Sequence, residues 1–334
     1  MKTHARPFLS IVVPAYNEAE NLPVAVATLL AEASPHCGEV EIIIVNDGSK
    51  DATAAVMSSL QDQYTRLRCI NFARNFGKEA ALEAGLEHAK GDAVLFIDAD
   101  LQHPPSLMPE MIEAWCNGAD VVNAKKRDRG EESAAYGFAS KLFYRLFSRA
   151  TGVDFRGASD YKLIDRQVVE AVKQCRERDR FFRGLVAWVG FRQVDVLFDV
   201  QPRVAGESTW STYGLIRYSI SNLLAFSSLP LTFIAVAGLL MSLVSVILCA
   251  ETLVRYLLGA SLSGFTTVII SQTAFSGVIL LAVGVLAIYV GRMYDEQKGR
   301  PLYIVRQDSV RDKEGSHHRT PEQAQSQVQA IEPD

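Results

Sequence analysis

Two aspartates separated by one residue, Asp98 and Asp100, directly follow the apolar stretch Ala93 to Ile97. That stretch has the composition of a buried parallel strand, and open α/β sheets bind ligands at the carboxyl ends of such strands. Carboxylate oxygens suit Mg²⁺ or Mn²⁺, and such a cation would clamp a diphosphate and neutralise its charge as it departs. Two aspartates in a solvated loop are a commoner arrangement, so their position after a strand is what favours a metal site.

Two more polar segments come directly after apolar stretches. Pro14 to Glu18 (PAYNE) follows Phe8 to Val13, and Asn46 to Ser49 (NDGS) closes Val40 to Asn46. An aromatic ring beside carboxylates can stack on a base, and the carboxylates can accept hydrogen bonds from its imide or from a ribose. Each segment alone is more simply explained as turn chemistry, but three such loops open on one edge of one sheet. Neither GxGxxG nor GxxxxGK(S/T) occurs, which leaves a nucleotide held by aspartates and a metal.

The elements that must position these loops follow from hydrophobic periodicity. Between Phe8 and about Ala124, apolar runs of strand length alternate with helical segments, as in βαβ units around a mostly parallel sheet. The predicted fold class is therefore α/β, while residues 125–212 are more mixed and more charged. Strands are predicted at Phe8 to Val13, Val40 to Asn46, Leu67 to Phe72, Ala93 to Ile97 and Asp120 to Ala124, and helices at Asn17 to Ala33, Ala52 to Gln63, Lys78 to Lys90 and Pro105 to Asn117.

The overall composition excludes several classes of function. The 334 residues include 34 Lys plus Arg and 38 Asp plus Glu, so no global basic field predicts nucleic acid as a partner. The five cysteines are odd in number, scattered and without CxxC spacing, which indicates neither a disulfide framework nor a zinc site. The first apolar run is too short for a signal peptide and is interpreted as a core strand.

Two long uncharged stretches follow Ser228. Leu229 to Ala250 spans 22 positions and Leu257 to Gly291 spans 35, each enough to cross a hydrocarbon core of about 30 Å at about 1.5 Å per residue. We expect two transmembrane helices, at about 230–254 and 266–291. Buried core helices of a soluble protein are the alternative, but they rarely stay uncharged over this length.

The distribution of basic residues orients these spans. Arg203 and Arg217 precede the first span, and four basic residues follow the second, whereas the linker Leu257 to Phe265 is uncharged. By the positive-inside rule both ends are predicted to be cytoplasmic, in a multi-pass protein of the inner membrane. The expected organisation is a cytoplasmic catalytic domain (1–210), an interfacial amphipathic helix (211–228), two transmembrane helices (229–292), a juxtamembrane segment (293–310) and a disordered tail (311–334).

Eight segments carry a family resemblance, in this order: PAYNE, NDGSKDAT, ARNFGKEAALEAG, DADLQHPP, SDYKLIDRQVV, RGLVAWVGF, RVAGESTWS and, after the two spans, GRPLYIV. Together they resemble the family 2 glycosyltransferases that act on polyprenyl phosphates, such as dolichol-phosphate mannose synthases and bactoprenol glucosyltransferases. The resemblance extends from about Phe8 to Arg306, nearly the whole chain. It implies a GT-A fold, a nucleotide-sugar donor, inversion at the anomeric carbon and a polyprenyl phosphate acceptor.

The resemblance also implies roles for particular residues. Many members have two aspartates where this chain has Asn46 and Asp47, so of a two-carboxylate contact to the base only the Asp47 part is kept. The Asn form is most similar to the bactoprenol glucosyltransferases, which favours UDP-glucose. Asp160 matches the acidic position beside the sugar. The implied nucleotide-sugar contacts are Pro14, Tyr16, Glu18, Asp47 and Asp98, the implied ligands of Mg²⁺ or Mn²⁺ are Asp98, Asp100 and Gln102, and the implied catalytic residues are Asp100 and Asp160.

Asp160 is not required as a general base, because a phosphate monoester has a second pKa near 6 and is already anionic at neutral pH. We expect it to orient the donor sugar, with a general base or a simple ion pair with Lys or Arg as alternatives. The acceptor phosphate needs cations near the bilayer, and a dense basic cluster begins at Lys125. On the resemblance, the acceptor-phosphate residues are Lys126, Arg127, Ser140 and Lys141.

Two other functions would fit parts of this pattern. A catalytically silent, membrane-anchored nucleotide-binding module has no physical need to retain both aspartates beside the basic cluster. A processive polysaccharide synthase usually has a QxxRW motif and more spans, and the sequence contains neither. An enzyme that binds a nucleotide-sugar, a polyprenyl phosphate and the lipid bilayer is therefore the leading hypothesis, and assembly into a homo-oligomer is left open.

Overall fold

The computed structural model describes residues 6–126, 159–175, 177–178, 180–198, 229–258 and 264–306. These residues form one seven-stranded sheet with helices on both faces. The strands lie in the order β3-β2-β1-β4-β6-β5-β7. In chain order they are β1 (Phe8–Ala15), β2 (Glu39–Asn46), β3 (Leu67–Asn71), β4 (Ala93–Phe96), β5 (Val121–Lys126), β6 (Lys162–Asp165) and β7 (Gln193–Phe198).

The sheet is mostly parallel, as predicted. Strands β1 to β4 are mutually parallel, and so are β5 and β7. The exception is β6, which lies antiparallel between β4 and β5. The helices are α1 (Leu22–Ala33), α2 (Thr53–Gln63), α3 (Lys78–His88), α4 (Met108–Cys116, after a 3₁₀ turn at Pro105–Leu107), α5 (Arg166–Gln174), α6 (Phe182–Trp188), α7 (Leu229–Leu257) and α8 (Phe265–Gln297).

Successive side chains of the central strands supply two separate cores. Ile11 and Val13 of β1 belong to the core under α1, α2 and α4, whereas Val12 belongs to the core under α3, α5 and α6. This is the alternation that a strand covered on both faces requires. Helix α3 lies close to β1, because a Cβ added at Gly85 would be only 2.1 Å from Cγ1 of Val12.

Two parts of the fold differ from the sequence prediction. The first helix begins at Leu22 and not at Asn17, because Asn17 has a φ of 58° and cannot start a right-handed helix. Residues 16–21 therefore remain a loop at the edge of the sheet. The strands β6 and β7 were not predicted, since β6 has only four residues and is bounded by Lys162 and Asp165.

Helices α7 and α8 agree with the two predicted spans. Within them, Leu231–Arg255 and Val268–Gln297 are long and apolar enough to cross a membrane by length and composition, and neither is buried by the rest of the protein. Their exposed side chains include many Leu, Ile and Val residues. The predicted interfacial helix at 211–228 and the predicted tail at 311–334 lie outside the described residues.

After α8 the chain returns to the sheet. Residues 301–306, here named the strap, lie beside β3, the edge strand. Val305 forms an antiparallel bridge with Phe72. The backbone N–H of Ala73 donates to the carbonyl of Ile304, and that of Arg306 donates to the carbonyl of Asn71, both at 2.8 Å. The strap therefore pairs with residues 71–73, at the carboxyl end of the edge strand β3, and connects them to α8.

Candidate functional site

The loops that follow β1, β2, β3 and β4 meet at the carboxyl edge of the parallel strands. They enclose a cavity of about 380 Å³. This volume is in the range of small-molecule sites, and the position is the one where open α/β sheets bind ligands. Six residues singled out from the sequence line this one cavity: Pro14, Tyr16, Glu18, Asp47, Asp98 and Asp100.

The loops after β1 and β2 are joined by a set of short hydrogen bonds. The N–H of Asn17 donates to the Ser49 hydroxyl, and the N–H of Lys50 donates back to Oδ1 of Asn17, both at 2.9 Å. The N–H of Glu18 donates to the Thr53 hydroxyl, also at 2.9 Å. Asn17 can serve both loops because it tolerates a positive φ better than most residues. The side chain of Tyr16 is left exposed, where a flat ring could meet a base.

Asp47 also lines the cavity, at the start of the loop after β2. Its two carboxylate oxygens accept hydrogen bonds from the backbone N–H groups of Phe76 (2.6 Å) and Gly77 (2.9 Å). Burial raises the pKa of Asp47, and these two bonds offset the increase only in part. The same contact needs Gly48, since a Cβ at that position would lie 2.4 Å from the backbone of Arg74. Asp47 therefore fixes the loop between β3 and α3 against the loop after β2.

The neighbouring Asn46 has a different role from the one that an aspartate would have there. It is buried, its side-chain N–H donates to Oδ1 of Asn71 at 2.8 Å, and its Oδ1 accepts from the N–H of Ser49 at 2.9 Å. A carboxylate could not donate to Asn71. Asn46 thus joins β2 to β3 below the cavity, and its side chain is already engaged within the protein.

The two aspartates of the DxD sequence lie in unequal surroundings. Asp98 is partly buried and forms an ion pair of 2.6 Å with Lys78. Asp100 is exposed, and its Oδ1 accepts from the N–H of Gln102 at 3.1 Å. Gln102 lies just beyond the residues that line the cavity. The loop is tightly turned between them, since Leu101 has a φ of 51°.

Asp160 and two cations form an ion cluster beside the cavity. Asp160 is buried, and Arg183 of α6 binds it through Nε and through Nη2, the latter at 2.7 Å from Oδ2. Nζ of Lys78 lies 2.8 Å from Oδ2 of the same carboxylate. Lys78 therefore bridges Asp160 to Asp98. Of the three interpretations of Asp160 that the sequence allowed, the structure contains the ion pair, and a catalytic role stays a prediction.

The cluster holds Asp160 in its ionised form. Burial alone would raise the pKa of Asp160, but the hydrogen bonds from Arg183 and the charge of Lys78 lower it well below its ordinary value. Burial alone would lower the pKa of Lys78, but Asp98 and Asp160 together raise it. A carboxylate that binds protons this weakly is a poor general base at neutral pH. Its evident effect is to hold two cations in place at the cavity wall.

The residues present fit a divalent cation that is shared with a ligand. Burial raises the pKa of Glu18, and the charges of Asp100 and Asp98 raise it further, so acidic groups accumulate on this wall. Among the residues that the structure describes, no group of three or more His, Cys, Asp or Glu side chains could hold a metal ion alone. Mg²⁺ typically uses one or two carboxylates plus substrate phosphates, which matches Asp98 and Asp100.

Glu79 is a titratable group of this region that the sequence analysis did not single out. It follows Lys78 in α3, and one of its carboxylate oxygens accepts from the N–H of Phe182 at 2.8 Å. Burial raises the pKa of Glu79 to about 7. In the folded protein the carboxyl therefore keeps its proton to a higher pH than in the unfolded chain, where its pKa is 4.5.

We predict that Glu79 makes stability fall as pH rises from about 4.5 to about 7. In that window the folded state binds more protons than the unfolded state, so the free energy of unfolding decreases by on the order of 3 kcal/mol. Thermal unfolding in detergent between pH 5 and 8 measures the effect, and Glu79→Gln should flatten the profile. Glu113→Gln, at an exposed glutamate of α4, is the matched control. A Glu79→Gln profile that parallels the wild type would contradict this prediction.

The predicted acceptor-phosphate residues lie almost entirely beyond the described part of the chain. Lys126 is the last residue of β5, which runs parallel to β7, so the two strands end at the same edge of the sheet. Arg127, Ser140 and Lys141 lie outside the described residues.

Sequence reasoning missed Lys78 and Arg183. Both lie in segments that the resemblance includes, ARNFGKEAALEAG and RGLVAWVGF, but neither received a role. The available signal was a cation beside a glycine at the start of a helix, since Lys78 follows Gly77 and Arg183 precedes Gly184. Both side chains bind Asp160, which is 23 residues from Arg183 and farther from Lys78, so no local sequence pattern could predict these ion pairs.

The chain was compared with known proteins. Glycosyl transferase family 2 matches residues 10–172. An uncharacterized glycosyltransferase of Synechocystis sp. is 41% identical over 299 residues, which cover 89% of this chain and 94% of that protein. A bactoprenol glucosyl transferase of Shigella phage SfV is 38% identical, over 90% of this chain and 98% of its own length.

A solved structure of glucosyl-3-phosphoglycerate synthase from Mycobacterium tuberculosis, in complex with Mn²⁺, UDP-glucose and phosphoglyceric acid, is 21% identical. It aligns with a TM-score of 0.45 over 66% of this chain and 80% of its own. The family match and the mixed, mostly parallel sheet confirm the predicted GT-A class. On its identity to relatives over nearly their whole length, the chain belongs to glycosyl transferase family 2 and is a glycosyltransferase.

Proposed function

We propose that this glycosyltransferase moves glucose from UDP-glucose to a polyprenyl phosphate, with inversion at the anomeric carbon. The observation that carries the proposal is the cavity at the carboxyl edge of the sheet, where an exposed aromatic ring, Asp47 and the DxD aspartates face one another. These groups offer contacts for the base, the ribose and the diphosphate of a nucleotide-sugar donor. Glucose is favoured because several relatives are named bactoprenol glucosyl transferases.

In this proposal the donor is held at two ends. Tyr16 stacks on the base, and Pro14, Glu18 and Asp47 contact the nucleoside. Asp98 and Asp100, together with Gln102, would hold a divalent cation at the diphosphate end. When bound, Mg²⁺ or Mn²⁺ supplies Lewis-acid stabilisation of the departing diphosphate. Lys78 adds a fixed positive charge on the same wall, 2.6 Å from Asp98.

The transfer itself needs no proton removal. A phosphate oxygen of the acceptor forms a bond to the anomeric carbon while the bond from that carbon to the β-phosphate oxygen breaks, and UDP leaves with the electron pair. The acceptor phosphate is already anionic at neutral pH. Asp160 keeps Arg183 and Lys78 oriented and lies beside the sugar, which is consistent with its lowered pKa. Inversion follows from attack opposite to the leaving group.

The acceptor phosphate is assigned to Lys126, Arg127, Ser140 and Lys141. We predict that Arg127→Ala or Lys141→Ala weakens the response to polyprenyl phosphate by roughly thirtyfold, since a charge-assisted contact to a partly desolvated phosphate contributes about 2 kcal/mol. Nucleotide-sugar binding should stay at the wild-type level. Turnover against acceptor concentration in nanodiscs, alongside calorimetry with the donor, measures both. Lys173→Ala, on α5, is the control for removing a peripheral cation.

The second substrate fixes the location that we propose. A polyprenyl phosphate lies in a bilayer, and α7 and α8 have the length and composition to cross one. We place the catalytic domain and both chain ends on the cytoplasmic side of the inner membrane, with residues 257–265 outside. A cysteine introduced near residue 261 should then react with an impermeant reagent from the outer side. Reaction from the cytoplasmic side alone would mean that the helices do not make two full crossings.

The experiment that tests the whole proposal is mass spectrometry of the lipid product. Purified full-length protein receives polyprenyl phosphate, Mn²⁺ and one nucleotide-sugar at a time, including UDP-glucose and GDP-mannose. A polyprenyl phosphate that gains one hexose from UDP-glucose supports the proposal. A product formed only with GDP-mannose would show that GDP-mannose, and not UDP-glucose, is the donor. Nucleotide binding without any product would identify a silent binding module.

A further inference from the structure

The segment GRPLYIV, which follows the second span, has no role in the function proposed above. It contains most of the strap, and its side chains alternate as in a strand. Tyr303 and Val305 are half-buried against the sheet, whereas Ile304 is exposed. The Tyr303 ring stacks on the buried Phe72, with ring centres 4.8 Å apart and planes at 18°. Its hydroxyl also donates to Glu87 of α3.

A chain of contacts leads from the strap to the donor cavity. Phe72, on which Tyr303 stacks, meets Phe76 edge to face at 5.8 Å and 89°. The N–H of Phe76 is one of the two donors to Asp47. The same short loop, residues 72–77, ends at Lys78, which pairs with Asp98 and Asp160. We name residues 72–77 the donor loop, since it contributes Asn75 and Gly77 to the cavity lining.

The strap is also held at the end of α8. Both carboxylate oxygens of Glu296 accept from the backbone N–H of Arg178, at 3.1 and 3.2 Å. The donor loop therefore contacts the strap, and only residues 298–300 lie between the strap and α8, the second proposed transmembrane helix.

We propose that Tyr303 is a positioning residue, which holds the donor loop against Asp47 in the geometry that binds the nucleotide-sugar. The inference rests on the proposed function for the identity of the ligand. The backbone bonds alone would hold the strap beside residues 71–73, whereas the Tyr303 ring also packs on Phe72 and through it reaches the donor loop. The two roles therefore differ in what the loss of the ring should do to donor affinity.

The experiment compares three strap variants of the full-length protein in detergent. Tyr303→Ala removes the stack and should raise the donor KM about fivefold to tenfold, with kcat within about twofold of the wild type. Tyr303→Phe keeps the stack and loses the hydroxyl, and its donor KM should lie within about twofold of the wild-type value. Ile304→Ala truncates the exposed neighbour and should leave both constants unchanged.

A control separates positioning from general stability. Leu29→Ala empties a fully buried site of α1, in the core on the other face of the sheet, and should lower the unfolding temperature without changing the donor KM. An equal rise in KM for Leu29→Ala and Tyr303→Ala would overturn the inference. So would a wild-type KM in Tyr303→Ala, or an effect of Ile304→Ala as large as that of Tyr303→Ala.

Failure of the proposed function is detected separately. Whether the wild type makes a lipid-linked hexose is read from the product, whereas donor affinity is read from nucleotide-sugar binding without acceptor. If no donor is found, hydrogen exchange in the nucleotide-free protein decides the inference. Amides of residues 73–77 should then exchange at least about fivefold faster in Tyr303→Ala than in Tyr303→Phe. Equal exchange rates in the two variants would contradict the positioning role of Tyr303.

Discussion

Replacing Asp100 by Asn should lower the rate of transfer by on the order of 10³-fold, with Asp98→Asn also severe. The substitution keeps the size of the side chain and removes the charge. Asp100 is exposed on the cavity wall, where burial raises the pKa of Glu18 and the charges of Asp100 and Asp98 raise it further, so a bound cation would relieve this repulsion. Losing the clamped cation removes several kcal/mol of stabilisation from the departing diphosphate, and each 1.36 kcal/mol is about tenfold in rate.

Removal of the metal itself should have the same consequence. The wild type in excess EDTA is expected to lose activity to a similar extent and to regain it when Mn²⁺ or Mg²⁺ is restored. Binding of Mn²⁺ in the presence of UDP, measured by electron paramagnetic resonance, should weaken in both aspartate variants. Asp62→Asn, on an exposed position of α2, serves as the matched control. Near wild-type turnover in excess EDTA would refute the assignment of Asp98 and Asp100 to a metal site.

The second large effect is expected at Arg183. Arg183→Met should lower the free energy of unfolding by on the order of 3 kcal/mol, because it removes one of the two cations that pair with the buried Asp160 in the described part of the chain and leaves Lys78. Adding Asp160→Asn to the same chain should recover part of that loss, since the double variant no longer buries a poorly compensated charge. The double variant is therefore predicted to be more stable than Arg183→Met alone.

Chemical denaturation of the four proteins in this double-mutant cycle gives the coupling directly. Arg66→Met is the matched control, because Arg66 pairs with Glu39 where both side chains are about half exposed, and such pairs contribute less than about 1 kcal/mol. Losses that simply add would show that Arg183 and Asp160 stabilise the fold independently. Activity should remain low in all three variants, since each disturbs the wall that Lys78 shares with Asp98.

The parts of the fold that sequence predicts well are those set by local pattern. Strands β1 to β5 follow apolar runs that are buried on both faces, so each appeared within two residues of its predicted bounds. The strand β6 has only Leu163 and Ile164 between two charged residues, which no window of periodicity can distinguish from a loop. Its antiparallel place between β4 and β5 depends on pairing across the sheet, a long-range property.

The candidate site divides in the same way. Tyr16, Asp47 and Asp98 could be named because each directly follows a strand, and carboxyl ends of parallel strands share an edge. Lys78 and Arg183 could not, because their function in the cluster depends on where α3 and α6 place them around Asp160. The interaction of Asn46 with Asn71 was also hidden, since the two are 25 residues apart and meet only when β2 and β3 pair.

The strap has a consequence for how the protein is made. Synthesis proceeds from the amino terminus, so β3 is complete long before residues 301–306 leave the ribosome. Until then the backbone groups of Asn71 and Ala73 that later bond the strap stay open, and an open strand edge is a template for wrong pairing. A fragment cut before α7 would keep that edge permanently. The bonds at Asn71 and Ala73 can therefore form only after both apolar helices have been synthesised, because these helices precede the strap in the chain.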